Sequence, residues 1–180
     1  MREAKWAGRF IAGAIVNGAF GFGVMAVLLY LAVLGRPAAS RIVASGGAGT
    51  WFVVGMIGYG LVGILGIAVS ALFYQYLEGT LEAPYSGWRN LTAWAHLLLG
   101  GIGGTAATLL TAYGGYQAGA ALLPSDPPVY GGGQTSLWVH VNVLSPLSVP
   151  IAALLGVTLL GYFIGGVGYV TAWWAARKNA

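Results

Sequence analysis

The stretch FIAGAIVNGAFGFGVMAVLLYLAVL, residues 10–34, carries no charged side chain, and its length decides the fold. Roughly 25 residues of α-helix at 1.5 Å each cover about 37 Å, more than the ~30 Å hydrocarbon core of a bilayer. Three further stretches read the same way: Trp51–Phe73, Leu91–Ala118 and Pro150–Trp173. The eight basic and four acidic residues all fall at the ends of these stretches or between them. Charge is thus kept out of every segment that would meet hydrocarbon. The chain reads as an all-α integral membrane protein, a four-transmembrane-helix bundle forming a single membrane domain over residues 1–180.

Composition agrees. With 58% hydrophobic and 7% charged residues the chain would aggregate in water, whereas a bilayer accommodates that balance. The net charge of +4 is divided among short flanks and forms no patch, which argues against nucleic acid as a partner. The absence of cysteine excludes disulfides, thiolate metal sites and thiol catalysis. The first stretch follows a basic segment, Met1–Arg9, but is too long for the apolar region of a signal peptide and reads as a retained helix.

The basic residues also predict an orientation. Arg2, Lys5 and Arg9 precede the first span, Arg89 lies in the second loop, and Arg177 and Lys178 follow the last span. With four spans these segments share one side. Only Arg36 and Arg41, in the first loop, lie on the other. Both termini are therefore expected in the cytoplasm, with the chain in the plasma membrane. The seven tryptophans lie near the expected span ends, where an amphipathic ring favours the interface.

The third loop, 119–149, is the longest. Its Pro124-Ser125-Asp126-Pro127-Pro128 and Gly131-Gly132-Gly133 break regular structure. After them, residues 134–144 are semi-apolar, with Trp138 and His140, and could form an interfacial helix on the outer surface. Pro146 and Pro150 suit the first turn of the last span.

Glycine is abundant, at 31 residues. In lipid its use is close backbone approach, because lipid supplies no hydrophobic drive between helices. The third span carries a stripe of Gly100, Gly104, Thr108, Thr111 and Gly115. The last has Gly161 and Gly165, then Gly168 and Ala172. The second has Gly60, Gly63, Gly66 and Ser70, and the first Gly13, Asn17 and Gly21. The stripes predict helix packing within the bundle. The glycines of the second and third spans cover more than one face, which leaves room for neighbouring subunits.

One span residue titrates near neutral pH: His96, on the Gly100 stripe four residues before it. Functionally it could ligate haem or a metal, or bond a quinone head group. The plainer alternative is a neutral histidine bonded to a neighbouring helix. His140 is expected some 30 Å away at the opposite face, so the two cannot hold one iron. Neither can they form a zinc or copper site without nearby carboxylates or thiolates. Glu78 and Glu82 are four apart, but beside Arg89 they read as a solvated pair rather than an acid and base. The glycine runs lack the Lys-Ser/Thr of a phosphate-binding loop.

Residues 76–119 contain Tyr76-Leu77-Glu78, then Asn90-Leu91-Thr92-Ala93-Trp94-Ala95-His96-Leu97, a small-residue run and Ala112-Tyr113-Gly114-Gly115-Tyr116. This quarter of the chain resembles a transmembrane segment of subunit I of divergent haem-copper terminal oxidases, where Trp-x-His-Leu opens a glycine-containing helix. Gly100 and Gly101 stand where that pattern has a polar residue. The family's catalytic subunit uses several intramembrane histidines, and this chain has one in a span. The resemblance therefore implies an accessory subunit of a respiratory energy-transducing complex, without catalysis of its own. Its partners would be other membrane subunits and the bilayer, and haem or quinone would belong to the complex. Two other functions fit the residues: a redox protein binding haem or quinone at His96, and a small transporter of neutral solutes.

Overall fold

Exclusion of charge and the abundance of helix-compatible apolar residues produce long helices. The computed structural model describes residues 4–34, 37–83, 85–124 and 132–178. Four helices are long and apolar enough to cross a membrane: α1 (Lys5–Val33), α3 (Gly47–Thr80), α4 (Trp88–Leu122) and α5 (Ser136–Lys178). A short helix, α2 (Ala39–Val43), lies between the first two. No strand occurs among the described residues. In α1 and α5 only 6% of the most apolar window is buried, so their hydrophobic surface faces outward.

Several helix ends extend past the apolar stretches, for identifiable reasons. α1 begins at Lys5 because its first amides find an acceptor outside the helix. The Glu78 carboxylate accepts from the Trp6 N–H at 2.7 Å and the Ala7 N–H at 3.4 Å. These are groups that a helix start otherwise leaves unsatisfied. α3 and α4 each follow a glycine in the left-handed region, Gly46 at φ 80° and Gly87 at φ 59°, where the chain turns into the helix.

The segment 134–144, expected as a separate interfacial helix, instead runs into the last span. Thr135 caps its start, accepting from the Trp138 N–H at 3.2 Å. A π-helical turn over His140–Leu144 then leads without a break into Ser145–Lys178. Pro150 consequently lies inside a helix. In the turn before it, Ser148 Oγ donates to the Ser145 carbonyl at 2.7 Å. Asp126, Pro127 and Pro128 of the preceding loop lie outside the described residues.

Each long helix contributes to two compact units. One comprises Met1–Gly18, Leu61–Thr105 and Leu155–Ala180. Its core is Trp6, Phe10, Ile67, Ala71, Tyr74 and Ala93. Here Gly161 lies against the backbone of Gly100: a methyl added at Gly161 would come 2.8 Å from the Leu99 carbonyl carbon and 2.9 Å from Gly100 Cα. Gly104 faces Val62 and Thr158, and Gly165 faces the His96 ring. Thr105 Oγ1 donates to Asn17 Oδ1 at 3.0 Å, joining α4 to α1.

The other unit comprises Ala19–Gly60 and Ala106–Leu154. Its clusters centre on Ile42, Phe52, Ala112 and Ala120, and on Ala48, Ala118, Ala121 and Val139. Gly115 abuts the backbone of Trp51 and Phe52, while Thr108 Cγ2 would meet a methyl at Gly58 at 2.9 Å. The stripe of the third span is therefore packing surface in both units, with backbone contact at Gly100 and Gly115.

Candidate functional site

His96 opens a π-helical segment, His96–Ile102, within α4. The sequence places Ser70 and Tyr74 four apart on α3, hence on one face. In the structure that face meets the imidazole. Ser70 Oγ lies 3.4 Å from His96 Nε2, and Tyr74 Oη lies 3.3 Å from Nδ1. Ser70 Oγ also donates to the Gly66 carbonyl at 2.8 Å. With its hydroxyl proton committed there, Ser70 accepts from His96. The pattern is satisfied by a neutral imidazole with the proton on Nε2: Tyr74 O–H donates to Nδ1, Nε2–H donates to Ser70, and Ser70 O–H donates to Gly66.

Aromatic rings enclose the imidazole. The Phe10 and Tyr162 ring centroids each lie 5.0 Å from it. On α5, glycine at 165 is required by the ring itself, because a methyl there would come 2.5 Å from His96 Nδ1. Both ring nitrogens have side-chain partners, so an iron or other metal would have to displace Ser70 or Tyr74. No cluster of three or more metal-ligating His, Cys, Asp or Glu exists among the described residues.

A cavity of about 510 Å³ opens beside this group. Its walls are helices α3 and α5, together with His96 of α4. Ser70, Tyr74, His96, Tyr162 and Tyr169 supply the polar side-chain atoms, and no charged residue lines it among the described residues. The remaining wall is apolar and aromatic. Leu61, Leu65 and Phe73 are each more than half exposed, so the cavity opens on the helix surface that lipid would cover. Among the described residues the Tyr162 hydroxyl has no hydrogen-bond partner.

A second polar group surrounds Glu78. The sequence reading of a solvated glutamate paired with Arg89 does not describe it. Glu78 is 9% exposed and caps α1, while Arg89 Nη2 donates to the Thr171 carbonyl at 3.2 Å. Trp6 Nε1 donates to Asn90 Oδ1 at 3.1 Å, and the Arg9 guanidinium lies over the rings of Trp6 and Trp94 at 4.4 and 4.7 Å. Nearby Tyr85 stays a neutral phenol, because burial pushes its pKa up. These contacts fasten helix ends, a structural task. Glu82 is exposed and takes no part.

The structure therefore brings His96 together with Gly100 and Gly165, and His140 lies exposed in the other unit. Sequence reasoning missed Tyr74, Tyr162 and Phe10. A signal for Tyr74 existed in its spacing from Ser70, whereas Tyr162 follows the packing glycine Gly161 and gave none. No protein-family model, curated protein or solved structure matches this chain.

Proposed function

We propose that this protein is a non-catalytic accessory subunit of a respiratory energy-transducing complex in the plasma membrane, with a haem-copper terminal oxidase as the leading candidate. In this reading the four long helices cross the bilayer as a bundle with both termini in the cytoplasm, the side that collects most of the basic residues. The oxidase assignment rests on the resemblance within residues 76–119. The observation that supports the subunit role is glycine without an internal use. Among the described residues, Gly18 and Gly23 on α1 and Gly156 on α5 have no atom within 4 Å of where a side chain would begin. Such glycines weaken a helix and pack nothing within the chain, but they permit close approach of a neighbouring helix.

Mild detergent extraction from native membranes tests this. The chain should be recovered in fixed ratio with haem-bearing membrane subunits. Recovery alone, or only as a homo-oligomer, refutes it.

A second reading, a protein that binds haem or quinone at His96, is favoured by the cavity beside that residue. Comparing the optical spectrum and quinone content of the isolated chain with those of His96→Ala tests it. Identical results for the two proteins dismiss it.

A further inference from the structure

We propose that the cavity beside His96 binds the ring of an isoprenoid quinone, which enters sideways from the bilayer. The inference deepens the second reading above, on which it rests, and narrows the ligand to one chemical class.

Charge sets the first limit. Among the described residues the cavity has no cationic or anionic lining residue, so a phosphate, a carboxylate or an amine would be buried there without a partner. The ligand is therefore neutral. The hydrogen-bonding groups set the second limit. Ser70, Tyr74 and His96 already satisfy one another in a chain of three donors ending on the Gly66 carbonyl. The Tyr162 and Tyr169 hydroxyls remain as donors, and covering them unpaired is unfavourable. A ligand offering an acceptor, such as a ring carbonyl oxygen, meets that need.

Shape sets the third limit. Tyr162 and Tyr74 flank the imidazole, and Phe73 and Tyr169 form an edge-to-face pair in the cavity wall, with centroids 5.6 Å apart. Rings so placed suit a flat conjugated ligand. The volume of about 510 Å³ is ordinary for a small organic molecule. The exposed apolar rim at Leu61, Leu65 and Val69 leaves a path along which a polyprenyl tail would lie in lipid. Haem fits less well, because both imidazole nitrogens are bonded. The proposal concerns binding alone and invokes no electron transfer.

The full chain in detergent, titrated with decylubiquinone, tests this. Binding should raise the melting temperature in a saturable manner. Gly166 lines the cavity and has open space at its Cβ position, so Gly166→Leu adds bulk at the site from a position where the first side-chain carbon meets nothing. That variant should lose the quinone response while keeping its own melting transition. Gly156→Leu, which lies outside the cavity and also has open space, should keep it. Tyr162→Phe should weaken binding by about tenfold, the effect of one hydrogen bond. An equal response in wild type and Gly166→Leu, or none in wild type, overturns the proposal. Mass spectrometry of ligands retained from native membranes separates the two ideas. A haem or sterol lost on Gly166→Leu substitution refutes the quinone and preserves the site, whereas no retained ligand of any kind removes both.

Discussion

Gly161→Ala isolates the packing argument. In the native chain the α5 backbone at Gly161 rests on α4 at Leu99 and Gly100. An alanine methyl would sit 2.8 Å from the Leu99 carbonyl carbon, where ordinary contact begins near 3.4 Å. The deficit is about 0.6 Å at that atom and greater at the Gly100 nitrogen. The obstacle is backbone, which has no rotamer with which to move aside, so the two helices must separate. Overpacking of this kind costs about 1–3 kcal/mol. Folded and unfolded populations should therefore shift by about 5- to 150-fold. Titration with sodium dodecyl sulfate, following helicity and tryptophan fluorescence, reads the change. Gly156→Ala is the control on the same helix. Its methyl would meet nothing within 4 Å, so stability should be unchanged or rise by up to about 1 kcal/mol from better helix propensity. Equal effects of the two substitutions would refute the reasoning that Gly161 is there for backbone contact.

Other outcomes follow from single contacts. Glu78→Ala leaves the Trp6 and Ala7 amides buried without an acceptor and should cost about 1–3 kcal/mol in the same titration. Glu78→Gln keeps an acceptor oxygen and should cost less, so equal losses would argue against the capping role. Asn17→Leu removes the acceptor of the Thr105 hydroxyl and should destabilise by about 0.6 kcal/mol, the average for hydrogen bonds between membrane helices. Combining it with Thr105→Val should add almost nothing further, and additive losses would show that the two side chains do not interact.

The long helices were legible in the sequence because each charge-free stretch carries its own signal, independent of its neighbours. The packing stripes were legible in part. Spacing picks out Gly100, Gly104, Thr108 and Gly115, but only the structure shows that Gly115 meets the Trp51–Phe52 backbone while Gly100 meets Tyr162. Glu78 was misread because its partner amides lie more than 70 positions away, so that a local view supplied Arg89 instead. The start of α5 was misread because prolines usually begin helices. Here the helix starts at Ser136, ten residues before Pro146, and runs through a π-turn and on past both prolines. The surroundings of His96 depend on three helices converging, and no local pattern encodes that.

The proposed four membrane crossings and their orientation can be tested directly, because the sequence has no cysteine. Single cysteines at Ser40, Ser86 and Gln134 sample the three connections between the long helices. An impermeant thiol reagent applied to intact cells should label Ser40→Cys and Gln134→Cys, and should reach Ser86→Cys only after the membrane is opened. Labelling of all three in intact cells, or of Ser86→Cys alone, would contradict the four-span arrangement or its orientation.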